Sequence, residues 1–477
     1  MQSVDKAVKL TYGMGQFAWA AKDVCFHYFL FFFYAQYTDL PPSMAGLAAL
    51  LALIADGISD PLVGQISDNF KSGRWGRRHP FMIAATIPFA ASLAAIFNPP
   101  AFLDATGLFI WFLSLAIIVR TFLTLFTVPH MALGAELSTD YHERTTIATY
   151  RNVLGYTGGL LIQVFAWFLL IPMAKTAGNE AAGYIFVGYF SALIAMVGMI
   201  IAIIGTRKKI QDLPITSPDQ QSRPWYYAFK DILVVLKIPS GRILMLTVFI
   251  IVTQAGVANT MLIHINKYFY GFNDQQMGIF MLVVFLALLP SAALASRSSH
   301  RFGKRRATLT LILLEACILP ILPLSHYYGL TPASGSGALL FLVCCYVVFH
   351  QTIFIGRIHL TQGMLPDVID EGYLKTGRRL EGIFNSAQML VQKITFGLGT
   401  FLAGLAIEYA NIKDVSSIDQ MTPVMTERLA LVYGPGLAIF ALTAALVFSR
   451  YPLTRKRHAE IREQLRIRET MAESAAE

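Results

Sequence analysis

Twelve apolar runs of about twenty residues, separated by short polar connections, leave this chain few ways to fold. A hydrocarbon layer about 30 Å thick is crossed by roughly 20 apolar residues rising about 1.5 Å each, so every run is long enough for one crossing. The runs cover residues 12–37, 43–66, 80–98, 107–134, 152–173, 183–206, 242–267, 276–296, 307–327, 336–358, 382–409 and 430–450. With 55% hydrophobic and 14% charged residues and a mean hydropathy of +0.54, the chain is too apolar for a soluble protein of 477 residues. Lipid offers backbone N–H and C=O groups no partner, so the runs are expected to be helices in an all-α membrane protein. The first run is too long for a signal h-region and carries charge, so it is expected to remain in the mature protein.

Basic residues crowd alternate connections. Lys71, Arg74, Arg77 and Arg78 follow the second run; Arg207, Lys208 and Lys209 the sixth; Arg297, Arg301, Lys304, Arg305 and Arg306 the eighth; Lys375, Arg378 and Arg379 the tenth. This is the positive-inside bias, and it predicts cytoplasmic basic loops with both termini in the cytoplasm. The net charge of +9 therefore reports topology and does not point to a nucleic-acid partner. Cys25, Cys317, Cys344 and Cys345 fall inside runs without metal-ligand spacing, and they read as small core residues.

The polar stretch from Arg207 to Gly241, with Pro214, Pro218, Pro224 and Pro239, divides the runs six and six. The expected organisation is a six-helix bundle at 1–206, a cytoplasmic middle loop at 207–241, a second bundle at 242–451 and a cytoplasmic tail at 452–477. The middle loop reads chiefly as a tether, with a short interfacial helix from Pro224 to Leu236 as the alternative. The tail, with basic residues interleaved among Glu460, Glu463 and Glu469, reads as a solvated helix. The loop Arg74-Trp75-Gly76-Arg77-Arg78 in the first half has a counterpart in Arg301-Phe302-Gly303-Lys304-Arg305-Arg306 in the second, which suggests an internal repeat of the kind found in secondary transporters.

Ionisable side chains inside apolar runs are costly and so point to function. Asp56 and Asp60 stand four residues apart in the second run, hence on one helix face, and each ionised acid costs about 2.5–3.5 kcal/mol at mid-membrane. A monovalent cation, a proton, or an opposed Lys or Arg would each offset this. Na⁺ favours oxygen ligands, which the two carboxylates, the Ser59 hydroxyl and Thr124 offer. Gly57 and Pro61 are expected to unwind the helix locally and expose carbonyls. Lys393 lies near mid-depth of the eleventh run as a further partner. Lys22, Asp23 and His27 mark the first run; Lys22 and Asp23 point about 100° apart and are not expected simply to neutralise each other.

Asp56-Gly57-Ile58-Ser59-Asp60-Pro61, with Gly64, Asp68 and Arg74-Trp75-Gly76-Arg77-Arg78-His79-Pro80, resembles the glycoside–pentoside–hexuronide cation symporters of the major facilitator superfamily. Lys22-Asp23, Val128-Pro129, Glu143-Arg144 to Arg151, and Pro366-Asp367 through Thr376-Gly377-Arg378-Arg379 to Glu381-Gly382 extend the likeness along the chain. The resemblance implies that superfamily's fold, twelve transmembrane helices in two six-helix bundles. It also implies symport coupled to Na⁺, Li⁺ or H⁺, with no cofactor and no catalytic or resident metal site. It assigns the coupling ion to Asp56, Asp60, Thr124 and Ser59 with Lys393 nearby, and the sugar to Asp23, Lys22 and Arg151. The cytoplasmic loops with Asp68, Arg77, Arg144, Asp367 and Arg379 are expected to form charge clusters that hold an inner gate shut.

Where melibiose-transporting members carry a second sugar-binding aspartate this chain has Thr127; Met131 replaces their stacking tryptophan, and His130 replaces a tyrosine common in the family. With Arg120 on the face of Thr124 and Thr127, and His130 and Arg151 in the same region, the cavity is expected to be cationic, to contact the solute through these residues and Met131, and to favour an acidic glycoside such as a hexuronide over a neutral sugar. The alternative for Arg120 is a structural pairing with Glu315 or an aspartate. The rival functions are a cation-coupled carrier of lysophospholipid or another amphipath, and a non-transporting solute sensor. No nucleophile–base motif or phosphate loop supports an enzyme. A monomer in a bacterial inner membrane, in contact with lipid, a solute and a monovalent cation, is the expected setting.

Overall fold

The computed structural model describes residues 4–70, 75–207, 227–377 and 381–474, and its ordered elements are helices. Eleven are long and apolar enough to cross a membrane. They are α2 (Pro42–Ser67), α3 (His79–Ile96), α4 (Ala105–Glu136), α5 (His142–Thr176) and α6 (Glu180–Thr206), then α8 (Pro239–Phe269), α9 (Asp274–Phe302), α10 (Lys304–Tyr327), α11 (Gly337–Thr376), α12 (Glu381–Ala410) and α13 (Pro423–Ser449). Ahead of them α1, residues 6–37, is helical in the pieces Lys6–Met14, Gln16–Val24, Cys25–Phe29 and Leu30–Tyr37, the third a π turn. Its break at Gly15 and its polar Lys22, Asp23 and His27 keep it out of the apolar set. The other described elements are α7 (Tyr227–Lys237), α14 (Arg455–Ser474) and a 3-10 turn at Ile418–Gln420.

Starts are written locally. Asp104, Asp140, Asn179 and Ser336 each accept a backbone N–H in the first turn of α4, α5, α6 and α11, and Asn273 with Gln276 closes a reciprocal capping box on α9. These caps satisfy donors that a helix leaves unpaired at its N-terminus. The helices overrun the apolar runs where their polar ends leave the bilayer; α11 reaches Thr376, well past the run ending near 358. Of the cysteines, Cys25 and Cys344 are buried as expected, whereas Cys317 and Cys345 lie on exposed helix faces.

The chain forms two compact units. One draws on Met1–Trp225 with Asn259–His264 and Thr400–Glu408, the other on Tyr226–Ala258, Ile265–Gly399 and Tyr409–Glu477. In the first, α4 packs on α2 and α3, α3 on α6, and α1 on α5 and α6. Close approach is possible because small residues face α1: a Cβ at Gly158 would stand 2.8 Å from the Phe17 ring, and one at Gly198 2.5 Å from the Met14 carbonyl. With lipid as apolar as leucine, such contact replaces hydrophobic exclusion as the adhesive. In the second unit α11 packs on α9 and α10, and α10 on α13, around Ala295, Ala307, Leu311, Ile318, Ile353 and Leu360.

The connections preceding α3 and α10 share one device. Gly76 (φ 69°) and Gly303 (φ 77°) occupy the left-handed region, and each is followed by the basic residue, Arg77 or Lys304, that pairs below. Residues Tyr227–Lys237 form the short helix that was the alternative for this stretch. Lys71, Arg74, Lys208, Lys209, Arg378, Arg379 and the middle-loop prolines 214, 218 and 224 lie outside the described residues.

The tail departs from the solvated helix expected of it. Ile461 and Leu465, one turn apart, are 1% and 7% exposed and form an apolar stripe on an otherwise charged helix that packs on α11. His458 Nε2 lies 3.1 Å from Asp370 Oδ2, Arg462 Nη1 3.6 Å from the same oxygen, and Arg468 Nη1 donates to the Leu374 carbonyl at 2.8 Å. Ile461→Ala should weaken this docking by about 2–4 kcal/mol. Limited trypsinolysis of the purified protein should then cut after Arg462, Arg466 and Arg468 much faster than in the wild type.

Candidate functional site

Two matched helical spacings build the centre of the first unit. Asp56 and Asp60 on α2 face Arg120 and Thr124 on α4, both pairs four residues apart, so one helix turn of acids meets one turn of donors. Arg120 Nη1 donates to Asp56 Oδ2 at 3.3 Å, and the Thr124 hydroxyl donates to Asp60 Oδ1 at 2.7 Å. Asp56, Arg120 and Thr124 are buried and Asp60 half-buried. Arg120 thus makes the pairing with an aspartate that was the alternative to a solute contact; a buried guanidinium takes the nearest carboxylate because an unpaired buried charge is expensive. Its Nε has no hydrogen-bond partner among the described residues, its plane lies 4.9 Å from the Phe26 ring centre, and Asp23 is within its electrostatic reach.

Helix α2 does not unwind at Gly57 and Pro61; it is continuous from Pro42 to Asn69. Proline 61 nevertheless lacks the N–H that would bond the Gly57 carbonyl four residues back, so one main-chain oxygen is released without melting the helix. The Ser59 hydroxyl donates to the Asp56 carbonyl at 3.1 Å.

On α1, Asp23 receives both Lys22 Nζ and His27 Nδ1 at 3.5 Å. Lys22 reaches its chain neighbour in spite of the angle between them, because its four-carbon stem bends around the helix; the π turn at Cys25–Phe29 follows directly. Thr127 and Arg151 are half-buried, Met131 is 53% exposed, and Arg151 lies by the Tyr12 hydroxyl and 3.5 Å from Asn152 Oδ1. His130 is different from the solute contact expected. Its Nε2 is 2.8 Å from the Tyr12 carbonyl and its ring stacks on Tyr12 and Phe126, so it braces α1 against α4 inside the packing. Lys393 is half-buried on α12, in the second unit.

At the ends of α4 and α11 the two halves repeat an ion pair. Arg77 Nη2 lies 2.5 Å and Arg78 Nη2 3.1 Å from Glu136 Oε1, and Arg78 also holds the Ser67 hydroxyl. Lys304 Nζ lies 2.7 Å from Asp367 Oδ1 and donates to the Gly363 carbonyl. Sequence reasoning found Arg77 and Asp367 but missed Glu136. Its signal was an acid in the last turn of α4, where the helix dipole disfavours negative charge and a cation must compensate. Arg144 Nε donates to the Ser138 carbonyl at 2.7 Å. The Asp68 side chain and Arg379 lie outside the described residues.

A family model described as MFS/sugar transport protein matches residues 11–455. The chain belongs to that family. It is 25% identical to an uncharacterized symporter of Synechocystis sp., with 97% of this chain and 96% of that one covered. It is 26% identical to the isoprimeverose transporter of Lactiplantibacillus pentosus, over 84% and 79%. It is also 25% identical to a protein of Escherichia coli named as a candidate sulfoquinovose importer, over 96% and 93%. The crystal structure of the nucleoside transporter NupG shares the fold, with a TM-score of 0.58 at 13% identity over 94% and 99%.

This member of the MFS/sugar transport family is therefore a multi-pass membrane transporter with the major facilitator fold, and not an enzyme. Within it, the Asp56–Arg120 contact carries a clear energetic signature. Arg120→Gln should destabilise the protein by about 3–5 kcal/mol, since it removes one partner of a buried ion pair. Adding Asp56→Asn should recover most of the loss, a coupling that a double-mutant cycle of unfolding in detergent would measure.

Proposed function

We propose that the coupling cation binds at Asp56 and Asp60 by taking the place of Arg120. The observation that carries this is the facing arrangement of Arg120 and Thr124 on the two acids. In the ion-free state the guanidinium supplies the positive charge that Asp56 needs. Na⁺ or Li⁺ entering between the carboxylates, with the Thr124 and Ser59 hydroxyls and the Gly57 carbonyl as further oxygen ligands, neutralises the pair; a proton would do so on one carboxylate. The resemblance adds Lys393 to this site.

Arg120 then turns toward Asp23, whose charge already reaches it. Solute binding gains a donor only after the ion has bound, which is the physical content of coupling: each ligand raises the affinity for the other by the same factor. Lys22, Asp23 and Arg151 hold the solute hydroxyls, with Thr127 and Met131 along the wall. A released guanidinium suits an acidic group, so the preferred cargo is an anionic glycoside, a hexuronide or a sulfonated sugar. A relative named for sulfoquinovose import supports that class. The Arg77–Glu136 and Lys304–Asp367 pairs, with Asp68, Arg144 and Arg379, serve the cytoplasmic gate of a monomer in a bacterial inner membrane, with both termini on the cytoplasmic side.

The test is a thermal-shift screen of the purified protein with glucuronides, sulfoquinovose, neutral disaccharides and lysophospholipid, each in Na⁺, Li⁺ or K⁺. A true ligand at a hundredfold its Kd should add about 2.7 kcal/mol of apparent stability. The expected pattern is an acidic sugar whose shift requires Na⁺ or Li⁺, or lower pH, and vanishes in Asp56→Asn. Intact cation-driven uptake by Asp56→Asn in vesicles would sink the mechanism, and a shift by lysophospholipid alone would replace the cargo.

A further inference from the structure

The second unit holds a buried ionic cluster that the reading above does not use. Glu315 on α10 and Arg357 on α11 are each 1% exposed, and Arg357 Nε donates to Glu315 Oε2 at 2.8 Å. The other oxygen, Oε1, faces two groups at once. Gln254 on α8 donates to it through Nε2 at 3.3 Å, and His350 Nε2 on α11 stands 3.9 Å away, too far for a hydrogen bond. Gln254 Oε1, His350 Nε2 and Arg357 Nη2 are buried without a hydrogen-bond partner among the described residues. Such groups are rare in folded proteins, and three around one carboxylate call for an explanation.

The charged groups facing His350 are Glu315 and Arg357; around them Tyr346 stacks on its ring at 6.0 Å, Phe354 lies on the other side at 6.2 Å, and Tyr433 on α13 lies close to Tyr346. With a neutral imidazole the Glu315–Arg357 pair is balanced. A second ring proton taken from solvent makes both imidazole nitrogens donors, Nε2 among them on the side of Glu315 Oε1, and the carboxylate is then shared between two cations.

We propose that Glu315, His350, Gln254 and Arg357 form a proton-binding site in the second bundle, separate from the carboxylate pair on α2. No bond other than N–H forms, and the proton comes from solvent. Protonation closes the gap from His350 to Glu315 and competes with Gln254 for the same oxygen. The contact of α8 with α10 loosens while that of α10 with α11 tightens. The site therefore ties helix packing in this bundle to pH, whichever ion the first bundle takes.

The experiment is imidazole NMR on ¹⁵N-histidine-labelled full-length protein from about pH 5 to pH 9, a range that brackets an ordinary imidazole near 6.5. Ten histidines contribute, and His350→Gln identifies one. The expected result is a resonance that titrates in the wild type, is missing from His350→Gln, and titrates at lower pH in Glu315→Gln, where the imidazolium has lost its anion. Should Glu315→Gln not fold, Gln254→Leu should move the midpoint upward by removing the competing donor. A His350 resonance that stays fixed across the range, or that titrates identically in the folded variants at Glu315 and Gln254, overturns the proposal. Asp56→Asn should leave this titration unchanged while abolishing cation-dependent thermal stabilisation, so the two readings fail independently.

Discussion

A carboxylate in hydrocarbon must be matched, and the first unit is arranged around that demand. Asp56 and Asp60 would each be a liability alone; opposed to Arg120 and Thr124 they become the contact that sets α2 against α4. The match is uneven. Asp56 meets a guanidinium at a long 3.3 Å and Asp60 a hydroxyl at 2.7 Å.

The same economy recurs at the helix ends. A glycine in the left-handed region turns the chain before α3 and again before α10, and the next basic residue finds an acid at the end of α4 or α11. Because the two halves repeat the device with different residues, Arg77 with Glu136 and Lys304 with Asp367, the constraint lies in the charge pattern and not in side-chain identity. Buried charge in the second unit follows a different plan, with Glu315 and Arg357 joined in a direct pair.

Fold class, crossings and the principal carboxylates were legible in the sequence because hydropathy and charge dominate any structure built in lipid. Helix ends were less so, since α11 continues on polar residues once outside the apolar layer. Partners were the least legible. The spacing of Arg120 and Thr124 put them on one face, yet only the packing of α4 on α2 shows that Arg120 serves Asp56. His130 looked like a cavity residue by position and is a stacked brace by contact. Ile461 and Leu465 are two of four large apolar residues in a charged helix whose Ile467 and Met471 stay exposed, a signal too faint to announce docking without the surface of α11 beside it.

Helix α11 has a mechanical consequence. Its 40 residues make a rod about 60 Å long, roughly twice the hydrocarbon thickness. One point along it carries His350 and Arg357, and its far end carries Asp370 and Leu374, on which the tail helix rests. Pro366 lies between the two points without breaking the helix, so tilt at one reaches the other. A bulky fusion appended to the C-terminus would therefore load the same lever that holds the interior charges, and a fluorophore placed on the tail would act as a pointer for their movement.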